Sequence, residues 1–171
     1  RVGFLAYNEI GPSWFAATET RPGCAFMDGE AMRAAVAAAR REVDVVVVSC
    51  HWGIEYSPYP TAYQREVAQA LAEAGAHLVL GHHPHVVQGL GYYPQTLVAF
   101  SLGNFIFDQG LSEQTEEGLI LRALLDAGGV KTVQWLRHAV TRSQPALASP
   151  GEALPMLERI LRVTREQGLL P

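Results

Sequence analysis

Runs of basic residues are absent from this sequence. With a formal net charge of -4 over 171 residues, nothing in it offers the electrostatic footprint of a nucleic-acid binder. Long apolar runs are absent too. The longest, such as Val45-Val46-Val47-Val48, are far too short to cross a bilayer. No signal-peptide pattern opens the chain. It starts at Arg1 and enters Val2-Gly3-Phe4-Leu5-Ala6-Tyr7 at once, a stretch that reads as a short buried strand. The chain therefore reads as part of something longer, and a signal or anchor upstream would lie outside it. Cysteine is scarce: Cys24 lies in a Pro-Gly loop and Cys50 ends an apolar run, with no framework of spacings to demand a bridge. Cys50 reads as a packed core thiol. Charged residues make up only 18% against 49% hydrophobic ones, which excludes disorder and suits one folded domain. Internal repeats are lacking as well.

What is present centres on Gly81-His82-His83-Pro84-His85-Val86. Three of the six histidines fall within four residues. Pro84 fixes its own φ and biases His83 toward an extended conformation. In an extended chain His83 and His85 share a face, with His82 opposite. Two stiffly held imidazoles on one face are the beginning of a metal site.

The surrounding pattern is that of an α/β protein. Asp28 reads as the N-cap of a helix running to about Val43, with Met32, Ala35, Val36 and Ala39 at helical spacing. Residues 44–49 form a β-branched run without polar alternation, as expected of a central parallel strand covered on both faces. Thr61 and Gln64 fit a capping box, and Gly75 fits the C′ position of the helix between them. His77 to Gly81 is a second buried strand. Such a βαβ unit has a right-handed crossover, and ligands bind outside the C-terminal ends of its strands. His51 ends the first strand, while His83 and His85 follow the second, so topology alone can bring the three together.

A third strand, 96–102, leads into Gly103-Asn104, with Tyr92-Tyr93-Pro94-Gln95 as the turn before it. Residues 118–126 and 130–140 read as a hairpin around Gly128-Gly129. A Ser- and Pro-rich link, 143–150, precedes a final helix over about 152–168. Its expected apolar stripe is Leu157, Ile160, Leu161 and Thr164, and Pro155 suggests a start nearer Leu154. Glu158–Arg162 and Arg162–Glu166 are its expected outer pairs.

Three segments together carry a family likeness: Val-Ser-Cys-His-Trp-Gly-Ile-Glu-Tyr (48–56), Gly-His-His-Pro-His-Val-Val-Gln (81–88) and Ser-Leu-Gly-Asn-Phe-Ile-Phe-Asp-Gln (101–109). In this order they resemble the bacterial capsule-synthesis family CapA of poly-γ-glutamate biosynthesis, a branch of the calcineurin-like metallophosphoesterases. The resemblance covers roughly residues 2–125. It implies the C-terminal half of a four-layer α/β/β/α metallophosphoesterase-like sandwich with a mixed sheet. Residues 1–142 are expected to belong to that domain, with 143–171 a linker and helix packing on it. In the superfamily an Asp-x-His, a Gly-Asp and a Gly-Asn-His that supplies the catalytic histidine come from the N-terminal half, and none of these occurs in this sequence.

The resemblance implies two divalent ions, of manganese, iron or zinc, with His51, His83 and His85 as this chain's ligands. This half alone would be empty or hold one ion. His82 occupies the variable position of the histidine motif. It is a candidate to donate a hydrogen bond to substrate, or a solvated loop residue. Asn104 is a candidate to orient a ligand or substrate, or to cap a turn. Trp52 and Tyr56 are candidates for a substrate groove or for packing. Glu55 is either a partner holding an imidazole tautomer or a solvated charge, and Asp108 reads as a turn cap. His77 and His138 lie on strands and read as structural.

The function implied is a metal-dependent phosphoesterase-like hydrolase of capsule biosynthesis, at the bacterial cell surface or membrane-associated, acting on an anionic polymer or a phosphoester. The alternatives are a non-catalytic module binding polymer or partner on the same fold, and a general metallophosphodiesterase. An open sheet edge suggests pairing with the N-terminal half of the same protein or with a second copy.

Overall fold

The computed structural model describes residues 1–170. Strands β1 (Val2–Asn8), β2 (Val45–His51), β3 (Leu78–His82), β4 (Leu90–Tyr93) and β5 (Thr96–Ala99) form one mixed sheet in the order β1-β2-β3-β5-β4. The first four in that order run parallel, and β4 returns antiparallel to β5. Helices α1 (Gly29–Ala39) and α2 (Ala62–Glu73) make the crossovers. Strands β6 (Glu117–Asp126), β7 (Gly129–Thr141) and β8 (Gln144–Leu147) form a second, antiparallel sheet, and α3 (Pro150–Glu166) closes the chain.

The valine run of β2 shows why two layers are needed. Val46, Val48 and Cys50 pack with Met32 and Val36 of α1 and Leu71 of α2. Val45 and Val47, on the opposite face, pack with Leu121 and Leu125 of β6. A period of two thus feeds two cores from one strand. The chain is α/β, with helices on one face of the first sheet and the second sheet on the other. Helix α3 reaches from β4 to β7, burying Met156 and Ile160 against Val87 and Leu119. None of the described helices is long and apolar enough to cross a membrane.

Both helix starts fall where side-chain chemistry puts them. Asp28 accepts the Ala31 N–H at 2.9 Å, and Thr61 and Gln64 close a reciprocal box. Gly75 takes φ +100° behind α2, a conformation open to glycine without steric cost.

Several expectations need correction. The first strand is not interior: β1 lies at the sheet edge, leaving Phe4 74% exposed. Its other face packs Leu5 and Tyr7 on the helical core. Residues 90–93 are a strand rather than only a turn, and the supposed link 143–150 contains β8. Both were hidden by length, since four residues give too little alternation to read. Helix α3 begins at Pro150, capped by Ser149 and Glu152, and runs through Pro155. The hydrogen bond that Pro155 cannot make falls at the exposed Gly151 carbonyl, near the start of the helix. Its buried stripe is Met156, Ile160, Val163 and Thr164, while Leu161 is exposed. The charge that finds a partner is Arg159, which with Arg137 pairs the buried Glu117. Glu166 instead accepts the Tyr59 hydroxyl at 3.2 Å. Both cysteines are free, and burial pushes the Cys50 thiol up to about 12.

His77 and His138 are built into the framework. Nδ1 of His77 accepts the Val46 N–H at 3.0 Å, and Nε2 of His138 donates to the Asn104 carbonyl at 2.8 Å. Burial holds both below the ordinary histidine value; for His77 the Arg40 charge adds to it, and for His138 burial outweighs the Asn104 carbonyl. The unfolded chain protonates these rings near pH about 6.5 while the folded chain does not, so it binds more protons in that window. Stability is therefore expected to fall as pH drops below about 6.5. Urea midpoints on either side of that value check it, and a higher midpoint on the acid side would contradict it.

Candidate metal centre

The site is assembled by main-chain bonds that continue past the ends of β2 and β3. His51 and His82 are register partners, and beyond them Trp52 N–H donates to the His82 carbonyl at 3.0 Å. Tyr56 N–H then donates to the Pro84 carbonyl at 2.8 Å. Gly53, at φ +91°, donates to Glu9 Oε2 at 2.9 Å. The 53–60 loop is held from beneath by two fully buried glutamines. Gln64 donates to Gln88 at 3.0 Å, and Gln88 donates to the carbonyls of Ser57 and Tyr59 at 3.0 and 3.2 Å. These glutamines were not foreseen as supports, although Gln88 belongs to the second of the three likeness segments.

The histidine segment is not extended. His83 has φ +100° and His85 φ +61°, so the two rings converge through a strained turn and not through strand alternation. Left-handed backbone at non-glycine residues costs roughly 1–3 kcal/mol each and concentrates at functional sites. The rings of His83 and His85 lie 6.0 Å apart, and that of His51 lies 4.9 Å from His83. Donor atoms of Glu55, His83 and His85 all lie within 4.8 Å of one another. Glu55 Oε1 stands 4.0 Å from His85 Nε2. Imidazole and carboxylate donors gathered at this spacing fit a divalent ion of the zinc, iron or manganese kind. Glu55, read from sequence as a partner of a ligand or a loop charge, joins the donor set itself.

Electrostatics favour the form that ligates. Burial lowers the pKa of His51, with the His83 and His85 charges adding to it. Burial also lowers that of His83, where Glu55 acts in the opposite sense. For His82 burial comes first and His51 second. Neutral rings are the ligating species.

His82 lines a cup of about 360 Å³ with Asn8, Ser49, Cys24 and His51. Asn104 is buried, and its Oδ1 lies 2.8 Å from His85 Nδ1. Its amide is engaged within the protein and does not face an open substrate position. Trp52 does not line a groove: it is fully buried, and Nε1 donates to the Phe100 carbonyl at 2.9 Å. Tyr56 does flank the site, its ring 6.0 Å from His85, with Phe107 at 5.3 Å.

Comparison with known proteins agrees with the three segments. Residues 1–109 match the family described as bacterial capsule synthesis protein PGA_cap. The chain is 37% identical over 119 residues to the "PGA biosynthesis protein CapA" of Bacillus subtilis (strain 168), covering 70% of this chain and 31% of that protein. It is 36% identical over 132 residues to the "Capsule biosynthesis protein CapA" of Bacillus anthracis, covering 75% and 32%. A "Probable polyglutamine synthesis accessory protein" of Mycobacterium tuberculosis (strain ATCC 25618 / H37Rv) is 27% identical over 98% of this chain and 48% of its own length. The chain thus spans about a third of the length of the Bacillus relatives. By the matched residues it belongs to the bacterial capsule synthesis family PGA_cap, and by this identity it is a relative of the Bacillus CapA proteins.

Proposed function

We propose that this chain is part of a metal-dependent, phosphoesterase-like hydrolase of capsular poly-γ-glutamate biosynthesis. The observation that carries this is the convergence of Glu55, His83 and His85 donor atoms within 4.8 Å, with the His51 ring beside them. The names of the Bacillus relatives supply the capsular setting. A bound divalent ion would supply Lewis-acid polarisation of a phosphoryl or acyl oxygen and an acidified water. Glu55, His83 and His85 would hold it, and His51, its ring 4.9 Å from that of His83, would serve a second ion together with ligands from outside this chain. The rings of Tyr56 and Phe107 lie 6.0 and 5.3 Å from that of His85, and apolar surface beside the ring strengthens the local electrostatics.

Charge supports the same reading. The segments bordering the cluster, 48–60, 81–95 and 98–121, contain no lysine or arginine. Among these segments, an anionic polymer or phosphoester would find its positive partner in the ion. The test is to incubate the longer protein of which this chain is proposed to be a part, with the remaining ligands and the catalytic histidine supplied, with manganese or zinc and to assay a chromogenic phosphodiester and poly-γ-glutamate. Metal-dependent turnover of either supports the reading. Ion binding without turnover would overturn hydrolysis and leave the second reading, a non-catalytic module that binds polymer or partner. The exposed Ile54, Phe105, Ile106 and Leu111, on the loops that carry Glu55 and Asn104, favour that alternative. Co-sedimentation with the polymer measures it.

A further inference from the structure

The geometry points to Asn104 as the positioning residue that fixes the tautomer of His85, and to β6 and β7 of the second sheet as what holds Asn104 in place. This rests on the metal reading for its purpose, but its structural part stands apart from any ion.

The inference follows from which atoms can donate. Asn104 Nδ2 lies 2.9 Å from the Thr115 carbonyl and 3.3 Å from Gln109 Oε1. A carbonyl oxygen only accepts, so the amide nitrogen must face Thr115. Oδ1 is thereby turned to His85 Nδ1 at 2.8 Å. An oxygen there requires a proton on Nδ1, because two acceptors cannot bond. In the neutral ring Nε2 is then a bare lone pair, and it is the atom 4.0 Å from Glu55 Oε1. Two acceptors face one another across a gap that a cation would fill. Gln109 is oriented in its turn, donating from Nε2 to the Tyr56 hydroxyl at 2.7 Å.

Asn104 is held from its main chain as well. His138, buried on β7, donates from Nε2 to the Asn104 carbonyl at 2.8 Å. Gly118 of β6 makes this possible. A Cβ there would stand 2.3 Å from the Asn104 oxygen and 2.6 Å from the His138 ring. The carbonyl and the amide of Asn104 are thus fixed by different parts of the chain, β7 and the 109–115 loop. Its only free choice, which amide atom meets His85, is already made. The sequence placed Asn104 near the cluster but carried no sign of Thr115 or His138 as its partners, since both lie on later elements.

The test measures tautomer and affinity separately. In the metal-free protein, long-range proton–nitrogen correlation spectra are expected to show His85 protonated at Nδ1. Asn104→Leu, which accepts nothing, is expected to lose that signature and to weaken zinc binding about 10- to 100-fold. Asn104→Asp keeps an acceptor for His85 and is expected to restore the signature even where it lowers stability. A merely structural role would lower the melting temperature in both variants and leave the tautomer unmoved. The inference is overturned if the parent carries its proton on Nε2, or if Asn104→Leu binds zinc as the parent does. If Asn104→Leu does not fold, the parent spectrum and Asn104→Asp still decide. A parent that binds no zinc but shows the Nδ1 proton would sink the metal reading and keep the hold of Asn104 on His85.

Discussion

Gly81→Ala is expected to leave the chain unfolded at room temperature. The glycine is the last residue of β3 before the histidine cluster, and an added Cβ would stand 1.9 Å from the Phe100 carbonyl oxygen and 2.5 Å from Trp52 Nε1. The first of these is backbone and cannot rotate away. Relief would require β3 and the chain after β5 to part, breaking the Trp52–Phe100 hydrogen bond and the Leu102 N–H to Gly81 carbonyl bond at 3.2 Å. Trp52 and Phe100 are both fully buried. A clash, a lost buried hydrogen bond and a disturbed core together exceed about 4 kcal/mol, the range of the most damaging single substitutions. Domains of this size hold only about 5–15 kcal/mol in all. Circular dichroism with urea titration reads the outcome. Gly151→Ala is the control: nothing lies within 4 Å of its added Cβ in the first turn of α3, so a gain of up to about 1 kcal/mol is expected. A well-folded Gly81→Ala protein would mean that β3 and the chain after β5 do not approach as described.

The second large effect separates function from stability. His83→Gly is expected to lower affinity for zinc or manganese more than about 100-fold, beyond the scale reported for residues that only support a ligand. Its melting temperature should hold or rise. His83 sits at φ +100°, a conformation that glycine adopts freely and that costs another residue roughly 1–3 kcal/mol. The ring is only half-buried, so little packing is lost with it. Competition with a chromophoric chelator measures the affinity, and thermal melting of the metal-free protein measures the strain. Affinity within about threefold of the parent, less than 0.7 kcal/mol by the usual arithmetic, would remove His83 from the ligand set. A clear drop in melting temperature would show instead that the ring braces the turn.

Much of this centre was legible before any coordinates. The βαβ unit with its caps, the two-sided valine strand and the meeting of His51 with His83 follow from local chemistry and chain topology. The means by which His83 and His85 converge did not follow. Pro84 restricts the preceding residue but does not choose between extended and left-handed backbone, and here the surroundings select the latter. Glu55 was underweighted because its position depends on how a loop is fastened, and the buried Gln64 and Gln88 that fasten it read as ordinary polar residues in a helix and a loop. For Trp52, of the groove and the packing alternatives, the structure takes packing. Its indole finds its partner at Phe100, 48 residues away, a distance over which no periodicity speaks. The edge position of β1 was hidden because Phe4 and Val2 look like core residues in isolation.

The bonds from Trp52 to His82 and from Tyr56 to Pro84 carry a last consequence. They run between peptide groups, so the carboxylate of Glu55 reaches the imidazoles by counting residues from the end of β2, through a turn that needs glycine at position 53, where φ is +91° and a Cβ would stand 2.6 Å from Gln64. The exposed Ile54 can be exchanged with little effect on that delivery, whereas Ser57, whose hydroxyl donates to the Tyr59 carbonyl at 3.0 Å, cannot. Deleting one residue of the span would present a neighbouring side chain in place of the carboxylate. In an engineered relative it is the spacing between His51 and Tyr56, together with Gly53, that must be copied.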